Sequence, residues 1–205
     1  MKSSSLLLFL YLLPILLVAQ AYQGFSEGDI IFQTSNSSQS QAIQLATGSQ
    51  WSHVGMLMQN QPGEWVVWEA VQPVKVTPVA AFIARRAGKE FQVMRLKENG
   101  LSTENLSRMR QLFNNWKGLD YDWKFNWSDQ QFYCSELVWK LYKRAAGIEL
   151  GAPQPLKNYN LADPRVKAIA EKRWGELPLN ELMVAPSTIF ESKLLKEVSI
   201  TVLTN

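Results

Sequence analysis

The chain has 205 residues, a formal net charge of +3 at pH 7, eight tryptophans, one histidine and one cysteine. So small a charge offers no basic surface for a phosphate backbone, and we expect no nucleic-acid partner. One cysteine excludes an internal disulfide, and with one histidine it leaves too few ligands for a structural zinc site. No glycine-rich phosphate loop is present, so we expect neither a metal nor a cofactor.

Residues 1–21 have the pattern of a secretory signal peptide. Lys2 is followed by an apolar run over residues 6–18, and Ala19–Ala21 has the small-x-small form of a cleavage site. The run is shorter than the roughly 20 residues of a spanning helix, although an uncleaved membrane anchor is the alternative. We expect an exported protein, periplasmic or extracellular, with a single domain over residues 22–205.

The first half of this domain has strand patterns. Residues 28–33 predict a short strand, and the polar run that follows predicts a helix that ends at Gly48. Two longer strands, 53–59 and 65–71, flank a turn at residues 60–63, and shorter strands are expected at 74–76 and 91–96.

The second half has helix patterns. Ser102 begins a predicted helix over 102–117 with one apolar stripe, and Gly118 follows it. A second helix is predicted over 132–146 with Gly147 as its stop, and a third near 163–174. Strands and helices are grouped rather than alternating, which indicates an α+β fold with an antiparallel sheet packed against helices.

Cys134 lies on the buried stripe of the second helix. A helix N-terminus stabilises a thiolate, because its free N–H groups favour negative charge. A capping box of Ser128 and Gln131 would put Cys134 almost two turns into the helix, whereas a start near Phe132 would put it in the first turn. The sequence leaves both open, and an inert buried cysteine is the plain alternative.

A base for this thiol must be His53, because the chain has no other histidine. Glu69 ends an apolar strand and is the best residue to orient the imidazole. If the turn centres on Gln61, His53 and Glu69 lie directly opposite each other on one face. A tight turn at Pro62 and Gly63 would separate them, but it would be type II, which hairpins disfavour, so we expect the longer turn.

The motifs around these residues resemble a known family. Residues 118–122 (GLDYD) and 133–138 (YCSELV) are similar to the signature of the NlpC/P60 cysteine hydrolases. The histidine precedes the cysteine, as in the circularly permuted, YiiX/YebB-like branch. Similar blocks are found at 28–33, 42–47, 51–56 and 69–71, and Glu136 stands where the signature usually has glycine.

This resemblance implies a papain-like, circularly permuted NlpC/P60 fold with a triad of Cys134, His53 and Glu69. It also implies that Tyr121 lines the site. The backbone N–H of Cys134 is expected to be one oxyanion donor, with Gln131 and Tyr133 as candidates for the second. Aromatic residues such as Trp51 would suit an apolar substrate or the core.

Three functions follow as hypotheses. The first is cleavage of an amide or peptide bond through a thioacyl intermediate, with a cell-wall peptide as substrate by analogy alone. The second is a lipid-ester hydrolase or thioester acyltransferase, because lecithin:retinol acyltransferase-like proteins share the permuted plan. The third is a non-catalytic binding module. The expected partners are a peptide, amide or acyl-lipid substrate, with peripheral contact to the cell wall or membrane.

Overall fold

The computed structural model describes residues 21–88, 90–98 and 100–203. The predicted signal peptide lies outside the described residues apart from Ala21, the first residue of strand β1 (Ala21–Gln23). This strand pairs with β10 (Thr201–Leu203), so the two ends of the described chain lie side by side. No helix in the described ranges is long and apolar enough to cross a membrane.

A six-stranded antiparallel sheet forms the centre of the fold, with the strand order β5-β4-β3-β2-β6-β9. Five of its strands are those that the sequence predicts, with small changes at the ends, and the edge strand β9 was not predicted. The strands are β2 (Ile30–Gln33), β3 (His53–Gln61), β4 (Glu64–Ala70), β5 (Val74–Pro78), β6 (Gln92–Leu96) and β9 (Leu195–Val198). A separate pair of two-residue strands joins β7 (Gln154–Pro155) to β8 (Leu182–Met183).

Six α-helices lie among the described residues and confirm the predicted α+β fold. The three long helices expected in the second half are present, and α1 follows β2 as predicted. Two short helices, α2 and α6, were not predicted. The helices are α1 (Ser38–Thr47), α2 (Val79–Ala84), α3 (Thr103–Trp116), α4 (Cys134–Ala146), α5 (Pro164–Trp174) and α6 (Pro186–Phe190).

Both faces of the sheet are buried, because successive side chains of a strand point to opposite faces. The larger core lies on the face that carries Phe32, Val54 and Met56, against α3 and α4. The smaller core lies on the other face, where Leu57 and Val67 contact α2. Odd-numbered residues of β3 and β4 therefore point towards α2, and this face includes both His53 and Glu69.

The hairpin between β3 and β4 differs from the expected one. Gln61 pairs with Glu64, so the turn is the tight one at Pro62 and Gly63, and the expectation of a longer turn was wrong. Gly63 has φ +80°, which fits the second central residue of a type II turn.

A β-bulge corrects the register of this hairpin. Gln59 pairs with Trp65, so Asn60 is an extra residue without a partner in β4. The bulge shifts the ladder by one, so Glu69 lies opposite Gly55, two positions from His53. The two residues are diagonal rather than directly opposed, but they share a face as predicted.

Helix α4 begins at Cys134, with Tyr133 as its N-cap residue. Glu136 Oε2 accepts a hydrogen bond from the Tyr133 backbone N–H at 3.4 Å, so Glu136 caps the helix start. A capping box of Ser128 and Gln131 does not form. Cys134 therefore lies in the first turn, where the helix N-terminus favours a thiolate.

Candidate active site

The three predicted catalytic residues lie together at one end of the interior strands β3 and β4. His53 is the first residue of β3, Glu69 lies near the end of β4 and Cys134 is the first residue of α4. The His53 Nε2 and Glu69 Oε2 atoms are 2.7 Å apart, and the Cys134 thiol and the imidazole lie close enough for each to shift the pKa of the other. Because Nε2 is bonded to Glu69, Nδ1 is the ring nitrogen that serves the thiol. The chain of contacts runs from carboxylate to imidazole to sulfur.

A glycine makes room for the contact between acid and imidazole. A Cβ atom added to Gly55 would lie 2.4 Å from Val67 Cγ1 and 3.5 Å from Glu69 Cβ. Any larger residue at position 55 would therefore push against the strand that carries Glu69. Diagonal pairing across a glycine lets the His53 and Glu69 side chains meet.

Glu69 is held by two further side chains that the sequence analysis missed. Its carboxylate is fully buried, and Oε1 accepts hydrogen bonds from Thr77 Oγ1 at 2.6 Å and Arg85 Nη2 at 2.5 Å. Burial raises the pKa of Glu69, but His53, Thr77 and Arg85 outweigh it and lower that pKa to about 2. Glu69 is therefore a carboxylate with a fixed direction at any physiological pH.

The imidazole of His53 is favoured in its protonated form. Burial lowers its pKa, but the hydrogen bonds and negative charges of Cys134 and Glu69 outweigh this and raise the pKa of His53 to about 9. The ring also stacks on Phe82 of α2, with centroids 5.6 Å apart and an angle of 28° between the planes. Phe82 and Glu69 together fix the plane of the imidazole.

Burial raises the pKa of the Cys134 thiol, but its hydrogen bond to His53 and the charge of that residue lower it more strongly. Backbone hydrogen bonds from Val54 and Ser135 add to this lowering. A lowered cysteine pKa beside a raised histidine pKa favours a thiolate–imidazolium pair over the neutral thiol and imidazole. Such a thiolate is an activated nucleophile.

Two cavities meet at these residues. The polar groove, of about 510 Å³, is lined by His53, Arg85 and a set of serines and glutamines that includes Gln33 and Gln39. The apolar cavity, of about 100 Å³, is lined by Cys134 together with apolar side chains of α1, α5 and the segment around α6. The imidazole thus faces a polar space and the sulfur an apolar one.

Tyr121, which the family resemblance places in the site, lines both cavities. Gln39 Nε2 donates to its phenolic oxygen at 3.0 Å, and Gln39 Oε1 accepts from Arg173 Nη2 at 3.2 Å. Because the phenolic oxygen accepts from Gln39, its own O–H proton is available to another partner. Burial raises the pKa of Tyr121 well above its ordinary value, so the residue stays a donor.

The other three predicted binding residues are placed differently. Tyr133 lines the apolar cavity, but its hydroxyl accepts a hydrogen bond from the Val184 backbone N–H at 3.1 Å. Gln131 is exposed and lines neither cavity, so the structure does not bring it to the thiol. Trp51 is buried in the larger core against Phe190, with ring centroids 5.4 Å apart, and also lines neither cavity.

Glu136, which replaces the usual glycine after Cys-Ser, is a structural residue below the site. It is fully buried and pairs with Lys140 Nζ at 2.7 Å, one turn further along α4. Lys140 is itself buried, and it also contacts Asp129 at 2.9 Å. The carboxylate of Glu136 therefore serves the start of the helix and lines neither cavity.

The α+β fold, with its antiparallel sheet packed against helices, is that of the permuted papain-like class. Residues 24–199 match the model of a family described as permuted papain-like amidase enzymes, YaeF/YiiX. The chain belongs to this family, which confirms the resemblance found in the sequence and, with it, a family-level relationship to cysteine hydrolases.

Two relatives come from Escherichia coli. A protein of strain K12 described as "uncharacterized protein YiiX" is 44% identical over 173 residues, which cover 84% of this chain and 85% of YiiX. The crystal structure of YiiX from strain O157:H7 is similar with a TM-score of 0.80 and 44% identity, over 85% of this chain and 96% of that one.

The YiiX crystal structure is described as that of a metalloprotein. In this chain, residues 21–88, 90–98 and 100–203 contain no group of three or more His, Cys, Asp or Glu side chains that could hold a metal ion. The donors around His53 are already joined to one another, since Glu69 is bonded to His53, Thr77 and Arg85. The described residues therefore do not fit a resident metal, and no step of the chemistry below uses one.

Proposed function

We propose that this chain is a cysteine amidase with Cys134 as nucleophile, His53 as base and acid, and Glu69 as the residue that orients the imidazole. The observation that carries this proposal is the 2.7 Å contact between Glu69 Oε2 and His53 Nε2, with Cys134 beside the same imidazole at the start of α4. The family match supports the same class of chemistry.

The reaction has two halves. The Cys134 thiolate attacks the carbonyl carbon of the amide, and the His53 imidazolium gives its proton to the leaving nitrogen as the C–N bond breaks. A thioester to Cys134 remains. His53, now neutral, takes a proton from water, whose oxygen attacks the thioester and releases a carboxylic acid. One water is consumed, and the products are an acid and an amine.

Two donors are available for the oxyanion of this reaction. The backbone N–H of Cys134 is at the start of α4, where helical N–H groups have no intrahelical partner. Tyr121 is the second donor in this proposal, because its O–H proton is free of Gln39 and the side chain lines both cavities. Tyr121 takes the place of Gln131 and Tyr133, the residues suggested by the sequence.

The apolar cavity supports a second candidate function on the same site. Cys134 opens onto Ile43, Leu161 and Ile169, which suit a hydrocarbon chain on the acyl side of the scissile bond. A lipid ester or thioester would use the same nucleophile and base. An acyltransferase would differ only in the second half, where a hydroxyl or amine replaces water.

Export remains a proposal that rests on the sequence of residues 1–21. Expression of the full chain in a bacterial host, followed by N-terminal sequencing from each compartment, tests it. A mature protein that begins near Tyr22 in the periplasm would support export. An intact N-terminus in the membrane fraction would support an anchor. Sedimentation of the exported protein with cell-wall sacculi or with phospholipid vesicles tests the proposed peripheral contact.

A comparison of wild type with Cys134→Ala tests the proposed chemistry. Both proteins would be incubated separately with N-acyl amides, peptidoglycan fragments and phospholipids, and products and acyl-enzyme would be followed by mass spectrometry. Cleavage of amides that depends on Cys134 supports the amidase, and cleavage of phospholipids alone supports the second candidate. A non-catalytic binding module predicts no turnover and slow alkylation of Cys134 by iodoacetamide.

A further inference from the structure

The polar groove has a one-sided charge. Its lining residues include Arg85 and His53 but no aspartate or glutamate, and most of the others carry hydroxyl or amide groups. Glu69 pairs with both residues from a fully buried position, so the two positive groups face the groove and the carboxylate does not, which favours an anionic ligand over a cationic one. The groove lies on the imidazole side of the reacting atoms, where the leaving amine of an amide must receive its proton.

Gln33 supplies an independent sign that this groove takes a ligand. Its side chain is only 2% exposed, and it pairs in register with His53, so the two side chains are neighbours on one face. Its Oε1 atom is buried and has no hydrogen-bond partner among the described residues. A buried acceptor of this kind is costly unless a ligand donates to it. The amide N–H of a substrate is such a donor.

A positively charged side chain and a helix N-terminus lie in the same groove as Gln33. Arg85 uses one nitrogen, Nη2, to hold Glu69 and its side chain is 41% exposed, so the rest of the guanidinium can meet a ligand. The N-terminus of α1 also lies here, with Ser37 as N-cap and Ser38 in the lining. A helix N-terminus favours a negative group.

We propose that the polar groove binds the amine portion of the substrate and that this portion carries a carboxylate, as an amino acid does. The inference rests on the proposed amidase function and adds the leaving-group class to it. The amide N–H donates to Gln33 Oε1, and the carboxylate is held by Arg85 and the N-terminus of α1. The acyl group lies on the Cys134 side. Hydrolysis by one water then releases a free amino acid or peptide and an acid.

A set of amides with one acyl group and different amines tests this assignment. N-octanoylglycine, N-octanoylglycinamide and N-octanoylpropylamine differ in whether the amine portion carries a carboxylate, an amide or neither. We expect the glycine compound to have a kcat/KM at least roughly tenfold above that of the propylamine compound, as for a charge-assisted hydrogen bond. Equal values for the three, with turnover that depends on Cys134, would overturn the leaving-group assignment and leave the amidase intact.

Binding measurements test the assignment of the polar groove without depending on the proposed chemistry. Calorimetry with the Cys134→Ala variant measures affinity for the same three amides without turnover. Tighter binding of the glycine compound supports the groove assignment even where the wild type hydrolyses none of them. Equal affinities would overturn it.

Substitutions of Gln33 give a second, local readout. Gln33→Glu adds a negative charge to the groove and is expected to reverse the preference for the carboxylate. Gln33→Leu removes the acceptor and is expected to lower kcat/KM for all three amides roughly 2- to 12-fold, the range for a neutral hydrogen bond. Gln111→Leu, on the exposed side of α3, is the matched control and should change neither value. A preference that survives Gln33→Glu in a protein with wild-type thermal stability would contradict the proposal.

Discussion

Glu69→Gln is the substitution that tests the charge arrangement of the site most directly. The change keeps the shape of the side chain and removes its charge from a fully buried position. A pKa of about 2 in place of the ordinary 4.5 corresponds to about 3 kcal/mol in favour of the carboxylate. If His53 supplies about half of this, loss of the charge costs the imidazolium about 1.5 kcal/mol, or roughly tenfold in its protonation equilibrium.

Alkylation of the single cysteine measures this effect without a substrate. Iodoacetamide reacts with the thiolate, so its rate at each pH reports the fraction of the thiolate–imidazolium pair. We expect Glu69→Gln to move the acid limb of the profile about one pH unit higher, so that the rate at a fixed pH on that limb falls roughly tenfold. Amide turnover should fall further, roughly 10²-fold or more, because the ring also loses its fixed orientation.

Glu197→Gln, on the exposed strand β9, is the matched control and should leave the profile unchanged. An acid limb at the same pH in Glu69→Gln and in the wild type would refute the claim that the carboxylate supports the pair. So would a shift of equal size in the control.

Three further predictions follow from the same contacts. The free energy of unfolding of the wild type should fall by up to about 3 kcal/mol as the pH drops from 4.5 towards 2, because the lowered pKa of Glu69 contributes stability above pH 4.5 that is lost on protonation. Urea titrations should show a weaker dependence of this free energy on pH in Glu69→Gln. Lys140→Met should cost about 1–3 kcal/mol in thermal or urea unfolding near pH 7, because it leaves the carboxyl of Glu136 buried without its partner while burial, which raises the pKa of Glu136 to about 8, lets that carboxyl be neutral; adding Glu136→Gln should recover part of the loss. Gln131→Leu should change kcat/KM less than twofold, whereas Tyr121→Phe should lower kcat roughly 10²-fold if Tyr121 donates to the oxyanion.

The predicted site was accessible from the sequence mainly by elimination. One cysteine and one histidine left no other choice of nucleophile and base, and Glu69 was predicted because it is a carboxylate at the end of an apolar strand, with the expected hairpin register as support. Thr77 and Arg85, which hold that acid, could not be found in the same way. Thr77 depends on the register of β5, and Arg85 follows α2, a six-residue helix without a side-chain N-cap that leaves no periodic pattern.

The hairpin shows how a correct conclusion came from a wrong detail. We predicted a long turn because a type II turn at Pro62 and Gly63 twists against the flanking strands. The structure has that turn, and the bulge at Asn60 adds the local twist and the extra residue that put His53 and Glu69 on one face. The sequence offers the turn at Pro62 and Gly63 as an alternative, but a bulge has no sequence signal as strong as a glycine turn, so the shift at Asn60 could not be predicted from the chain.

The other missed elements are short and depend on distant partners. The edge strand β9 carries two exposed charged residues, Lys196 and Glu197, and is a strand only because β6 is available to pair with it. The start of α4 was left open for a related reason. Its cap is a tyrosine with a buried glutamate two residues after the cysteine, and Ser128 offered a more usual signal at the wrong place.

The extra residue at Asn60 also constrains how this hairpin can vary among related chains. His53 and Glu69 share a face because the numbers of paired residues in β3 and β4 differ by an even amount beyond the bulge. The length of the loop matters only because it decides whether that difference is even or odd. A relative that loses one residue from the turn must also lose or gain a bulge. One that changes length by two residues needs no repair, so we expect natural insertions and deletions here to come in pairs or with a displaced bulge.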